Sequence, residues 1–283
     1  MPPKRKTPTP TPKSKKTKEP AAAAYTYHAD WFSEHAPAWQ AVLGGRGLGD
    51  VRGARALFVG AYEGMCVAWL MKHALTGPGA EAVVVDDPGE GAARCDSFRG
   101  RGVWNPGAHD ALRRNMAALA DEEGRGLRVD LRLGPRSQAD ELRRMASSGS
   151  SRSSSKNAAF DVVYVDSRSS RHAMESAVLA FPMLRPGGVM VFTNYTHGRL
   201  HDYACPKRGI DGFLDAYAPE VRVLRPAFHL FLEKREVPTK HPYGCRAEMF
   251  DDGGEPPMPP FRPTPTTEKD CVSYRDGGFA ATR

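Results

Sequence analysis

The chain is poor in the features that would assign it to a simple class. It has only 5 cysteines in 283 residues, an odd number, scattered at Cys66, Cys95, Cys205, Cys245 and Cys271. No CxxC pair occurs, which argues against a disulfide framework or a zinc site and points to a reducing, intracellular compartment, cytoplasm or nucleus. No run approaches the ~18 apolar residues of a membrane helix. No apolar stretch follows the Lys- and Pro-rich start, so no secretory signal is expected. Neither GxGxxG nor GK[ST] occurs at a strand-to-helix corner, which excludes the dinucleotide and phosphate-loop fingerprints. Away from the start the chain also lacks net charge. The formal total is +7, but residues 1–20 carry seven Lys/Arg against Glu19 alone. The body is left with 33 basic and 32 acidic residues, a poor platform for phosphates.

The ends and middle differ in kind. Six of the 24 prolines lie in residues 1–20 and eight from Pro238 onward. Segments of this composition cannot bury enough apolar surface to offset ordering entropy. The reading is a disordered basic tail over 1–24, a folded domain over 25–236 and a Pro-rich disordered tail over 237–283. A Ser-rich insertion over 147–157 interrupts the domain. The basic arm fits an import receptor or a weak polyanion contact.

Within the domain, strands and helices alternate. Apolar strands are predicted over 54–59, 82–85, 127–133, 160–165 and 189–192, with a closing hairpin of 221–224 and 228–232. Helices are predicted over 25–43, 63–75, 110–120, 137–146, 172–184 and 210–217, and Pro186-Gly187-Gly188 reads as a turn. Ser137 and Asp140 have capping-box spacing. This order predicts an α/β fold: a doubly wound, mostly parallel, seven-stranded sheet whose final hairpin makes one strand antiparallel. Ligands of such sheets bind beyond the carboxyl ends of the strands.

Two features stand at that edge. Gly60-Ala61-Tyr62-Glu63-Gly64 makes a tight turn into a helix, and Asp86 closes the second strand 22 residues beyond Gly64. A carboxylate there can take hydrogen bonds from two ribose hydroxyls. Without a pyrophosphate signature, the pair points to a phosphate-free adenosine ligand such as S-adenosylmethionine. Tyr62 is placed to lie against it.

The segments Asp30-Trp31-Phe32-Ser33 with Trp39, ALFVGAYEGMCVAWLMKHAL, AVVVDDP, FDVVYVD, AVLAFPMLRPGGVMVFTNY, PKRGIDGFLDAY and VRVLRPAFHLFLEK together resemble class I S-adenosylmethionine-dependent methyltransferases. The resemblance spans about residues 29–235 and is nearer the branch of small-molecule and sugar O-methyltransferases. It implies a Rossmann-like fold with Gly60, Tyr62, Glu63, Gly64, Asp86 and Asp166 at the cofactor. It also implies a small-molecule hydroxyl acceptor methylated by in-line displacement. Asp166, His197 and His201 are the leading candidates to handle the acceptor's proton; His172 and Tyr195 lie at the same edge.

The chain departs from the family at several points. Phe58 stands where an acid usually closes the first strand, with Glu63 nearby as a substitute or as an ordinary first-turn acid. Thr193 replaces the second carboxylate of the metal-dependent relatives. Asp166 and Asn194 alone make a poor Mg²⁺ site, so no metal is expected. Two other readings follow: a methyltransferase-fold scaffold that has lost activity, and a nucleic-acid methyltransferase recruited by the basic arm. Trp31, Phe32 and Trp39 are read as cover for the sheet, and Cys66 and Trp69 as helix packing.

Overall fold

The computed structural model describes residues 25–87, 107–122, 126–134, 136–148, 160–166, 169–196 and 205–236. Both tails, nearly all of the Ser-rich insertion, and His197 and His201 lie outside the described residues.

Seven strands form one sheet: β1 Arg55–Val59, β2 Glu81–Val85, β3 Arg128–Arg132, β4 Phe160–Val165, β5 Leu184–Phe192, β6 Val221–Arg225 and β7 Leu230–Lys234. Their order is β3-β2-β1-β4-β5-β7-β6. β1 pairs in parallel with β2 and β4, and β7 runs antiparallel to both β5 and β6. The expected architecture is therefore present, with the order reversing between β1 and β4.

Strand residues alternate between two cores, as the period of two requires. Ala56, Phe58, Val84, Val162, Tyr164, Val191 and Phe231 face one side. There they meet α1 (Ala36–Leu43), α2 (Met65–His73) and α3 (Ala108–Asp121). Leu57, Val59, Val83, Val85, Val163, Val165, Met190 and Phe192 face the other. Their partners include Leu142 of α4 (Gln138–Ser148), Ala173 and Ala177 of α5 (Ser170–Ala180), and Ile210 and Phe213 of α6 (Lys207–Ala216).

Three expectations need correction. The helix predicted over 25–43 forms only from Ala36, where Pro37 presets the first turn. Before it, the Asp30 carboxylate accepts the Phe32 and Ser33 N–H groups, a local turn that competes with helix. Residues 25–35 are instead an irregular strap. Pro186-Gly187-Gly188 is an irregularity inside β5, whose pairing jumps from Phe160↔Leu184 to Val162↔Val189. Pro186 has no N–H to give the ladder, and Gly187 takes φ 74°. Finally, α2 begins at Met65, so Glu63 precedes the helix.

Helices α5 and α6 meet at a glycine. A Cβ on Gly209 would lie 1.8 Å from the Ser170 carbonyl oxygen, which is backbone and cannot swing away. Gly209→Val is expected to cost ~2–3 kcal/mol or more, the upper range for overpacking. In a domain of this size that lowers Tm by roughly 4–12 °C. A melt within about 1 °C of wild type would show that the two helices can part freely.

Candidate functional site

The carboxyl edge of the sheet is built around the turn leaving β1. Gly60 donates its N–H to Val85 O at 2.8 Å, holding the turn beside β2. Gly60, Tyr62 and Gly64 all have left-handed backbone, at φ 79°, 54° and 84°. The Gly64 N–H closes onto Ala61 O at 2.9 Å, and Gly64 O then accepts from Ala68 as the helix starts. A Cβ on Gly64 would come within 2.6 Å of Met116 Cε and 2.8 Å of Leu112 Cδ1, side-chain ends on α3 that can shift, so the left-handed backbone of the turn is the firmer demand for glycine here.

Asp86 is buried beside that turn. Its Oδ2 accepts the Ala61 N–H at 3.1 Å; its Oδ1 accepts Gln138 Nε2 at 3.0 Å and the Asp87 N–H at 2.9 Å. His109 Nε2 lies 3.6 Å from Oδ2. Because Gln138 gives its amide N–H to a carboxylate, its Oε1 faces His172 and must accept, which puts the proton on His172 Nε2. A hydrogen-bonded line thus runs from Asp86 through the first residue of α4 to α5.

Asp166 follows β4. Its N–H donates to Val59 O at 2.9 Å. Its Oδ1 accepts the Thr193 hydroxyl at 3.0 Å and lies 3.5 Å from Asn194 Nδ2. Asn194 also has left-handed backbone, at φ 58°. The fold brings Asp166 and Asn194 together, with Thr193 between them as a neutral hydroxyl. Among the described residues no group of three or more His, Cys, Asp and Glu could hold a metal ion. Burial pushes the Cys66 thiol up to about 12, and the charge of Asp166 adds to that. Burial likewise holds the Tyr164 hydroxyl well above its ordinary value. Asp166 is thus backed by neutral groups.

Phe58 is fully buried, its ring 5.4 Å from that of Tyr164. The position of the usual acid belongs to the core. Glu63 is also buried, and its Oε2 accepts the His28 N–H at 2.8 Å. Asn115 clamps the same strap: Oδ1 accepts Thr26 N–H at 2.9 Å, while Nδ2 donates to Thr26 O at 3.0 Å and Glu63 O at 2.9 Å.

Past Asn194, the Tyr195 hydroxyl donates to Asp211 at 2.9 Å and accepts from Lys207 at 3.0 Å. Burial raises the tyrosine's pKa. Burial alone would lower Lys207, but its bonds to Asp211 and Tyr195 outweigh that and raise it. The tyrosine is therefore a neutral, engaged phenol at neutral pH.

The aromatic residues at the end of the strap and in α1 dock on the closing hairpin. Trp39 Nε1 donates to His229 Nδ1 at 3.1 Å, His35 stacks on Phe228 at 4.4 Å, and the rings of His35 and His229 meet edge to face at 4.5 Å. Burial holds His229 well below the ordinary histidine value, and His35 adds to this. The unfolded chain takes a proton on this ring below about pH 6.5 while the folded chain does not. Its contribution to stability is therefore present above about pH 6.5 and lost as pH falls, at up to about 1.4 kcal/mol per pH unit. Urea unfolding at pH 7.5 and 5.5 should show this fall, and His229→Phe should flatten it. Equal slopes in both proteins would contradict the assignment.

Gln138, Asn115 and His229 carry these contacts and were not singled out by sequence reasoning. Asn115 had a signal, since it shares a helix face with Leu112, Met116 and Leu119. So did His229, a lone imidazole in an apolar strand.

No protein-family model matches the chain, and no curated protein matches it. Solved structures do. An O-methyltransferase from Bacillus cereus in complex with SAH superposes with a TM-score of 0.50 at 16% identity, covering 75% of this chain and 84% of that one. The calicheamicin methyltransferase CalS11 gives 0.47 at 16%, over 71% and 78% of the two chains. Human methyltransferase-like protein 13 in complex with SAH gives 0.41 at 16%, over 73% and 84%.

Proposed function

We propose that this chain, which has the class I methyltransferase fold, is an S-adenosylmethionine-dependent methyltransferase acting on the hydroxyl of a small molecule or sugar-like acceptor. One observation carries the reading. Among the described residues only Tyr62 and Asn194 are non-glycine residues with positive φ, and they follow β1 and β5 at the sheet edge that also carries Asp86 and Asp166. Left-handed backbone costs such residues roughly 1–2 kcal/mol, and strain of this kind gathers at functional sites. The Bacillus cereus protein of this fold was solved with SAH.

The residues present fit the cofactor. The buried Asp86 carboxylate would receive the ribose hydroxyls, and the backbone of Gly60–Gly64 would lie along the ligand beside Tyr62. Asp166 would stand toward its amino-acid end. When bound, the cofactor supplies a methyl group already activated on a cationic sulfur and open to in-line displacement. The chain's own part is alignment and exclusion of water. Asp166, oriented by Thr193 and Asn194, holds the acceptor's proton; His197 and His201 are the other candidates for that role. Glu63 is proposed to act on the strap instead of on the ligand. The basic arm of residues 1–20 contacts a polyanion or import receptor and takes no part in the transfer.

A scaffold that has lost activity is the second reading, favoured by Phe58 in the core and Glu63 committed to His28. Calorimetry with S-adenosylmethionine and S-adenosylhomocysteine separates the two. Saturable binding of both is expected. No heat with either would overturn the methyltransferase reading.

A further inference from the structure

The closing hairpin holds a buried donor that the scheme above does not use. His229 is 1% exposed, just ahead of β7. Its Nδ1 accepts the Trp39 indole N–H, so the ring proton sits on Nε2 as a donor. That Nε2 is buried without a hydrogen-bond partner among the described residues. A buried donor with no acceptor is costly and uncommon, and it points to a group that is absent.

Its place is at the acceptor end of the site. Phe228, next in sequence, accepts the Tyr195 N–H at 3.0 Å, and Tyr195 follows Asn194, which reaches Asp166. The surroundings are rings: His35 at 4.5 Å, Phe228 at 5.1 Å, Trp39 at 5.7 Å and Phe32 at 6.3 Å between centroids. The exposed Glu34 lies 3.4 Å from His35 Nε2. Residues 25–35, which have neither helix nor strand, lie over His229 and are held by the His28–Glu63 and Thr26–Asn115 bonds, so displacing them breaks no ladder hydrogen bond of the sheet. Lifting such a strap leaves the sheet intact.

We propose that the His229 Nε2–H group and the His35–Phe228 stack form the acceptor subsite, and that they take an uncharged, planar phenol whose hydroxyl oxygen accepts the His229 proton. This rests on the methyltransferase reading for its role but not for its binding. A sugar fits poorly, since its several hydroxyls would each need a partner among aromatic rings. A single oxygen on a flat ring meets the one donor and stacks on the rest.

The test uses phenol itself, with the full chain, with and without S-adenosylhomocysteine. In wild-type protein, the long-range ¹H–¹⁵N signal of His229 Nε2 is expected to shift on titration with phenol, and methyl glucoside should leave it in place. His229→Phe keeps the ring but removes the donor and is expected to weaken phenol binding at least ~10-fold. His229→Gln, which restores an N–H, should recover most of it. Melting curves report whether each variant folds, and the wild-type titration needs no variant. An unmoved His229 signal at saturating phenol, or equal phenol affinity in folded His229→Phe, overturns the proposal. If S-adenosylhomocysteine fails to bind while phenol still shifts His229, the methyltransferase reading falls and the phenol site stands.

Discussion

Trp39→Ala is expected to lower the unfolding free energy by ~3–5 kcal/mol, the range for a fully buried aromatic. Trp39 is 0% exposed, and its ring meets those of Phe32, Trp69, Tyr164, His229 and Phe231. It therefore bridges three parts of the fold: the strap, α2 and the sheet. The substitution also removes the donor to His229 Nδ1 and leaves a second nitrogen of that ring without a partner, for about 1 kcal/mol more. In a domain of this size the sum shifts Tm by roughly 8–24 °C. Trp39→Phe should recover most of the packing but not the hydrogen bond. Urea unfolding of both variants measures the two contributions apart. A loss below about 1 kcal/mol in Trp39→Ala would mean α1 is not part of the cooperative unit.

Asp86→Ala is expected to weaken S-adenosylhomocysteine binding by ~10- to 100-fold, the equivalent of ~1–3 kcal/mol for lost hydrogen bonds to a charged group. The carboxylate also holds the Ala61 N–H and the Gln138 amide, so some stability is lost as well. Gln138→Ala controls for this. It removes one bond to Asp86 and one to His172, but leaves the carboxylate in place. If Asp86→Ala folds and binds with wild-type affinity, the carboxylate is structural and the ligand lies elsewhere on the edge. If Gln138→Ala weakens binding as much, orientation of Asp86 by the Gln138–His172 line matters as much as its charge.

Both variants probe contacts that differ in how far they could be foreseen. Asp86 was visible because one carboxylate at the end of an apolar run, a fixed distance past a glycine turn, is a local pattern. Its clamp was not visible. Gln138 looks like an ordinary first-turn residue beside a capping serine. It reaches Asp86 only because β3 lies beside β2 and delivers the start of α4 to that edge. Trp39 read correctly as cover for the sheet, but its hydrogen bond joins residues 190 apart in the chain.

The alternation of apolar strands and amphipathic helices was enough, by itself, to determine the α/β class, the seven strands and the antiparallel last strand, because side-chain period and turn residues are local properties. The same locality made Gly60–Gly64, Asp86 and Asp166 legible. Only the tertiary structure decided the rest. Asp30 satisfied two backbone donors and turned the first part of an apparent helix into a strap. Buried Glu63 and Asn115 then found their partners in that strap, 35 and 89 residues away. Phe58 went to the aromatic core because strand parity points it at Tyr164. Pro186-Gly187-Gly188 stayed within β5 because the ladder to β4 closes on both sides of it. Each of these depends on which faces meet once the sheet has assembled, and that pairing energy is not written in any short window of the chain.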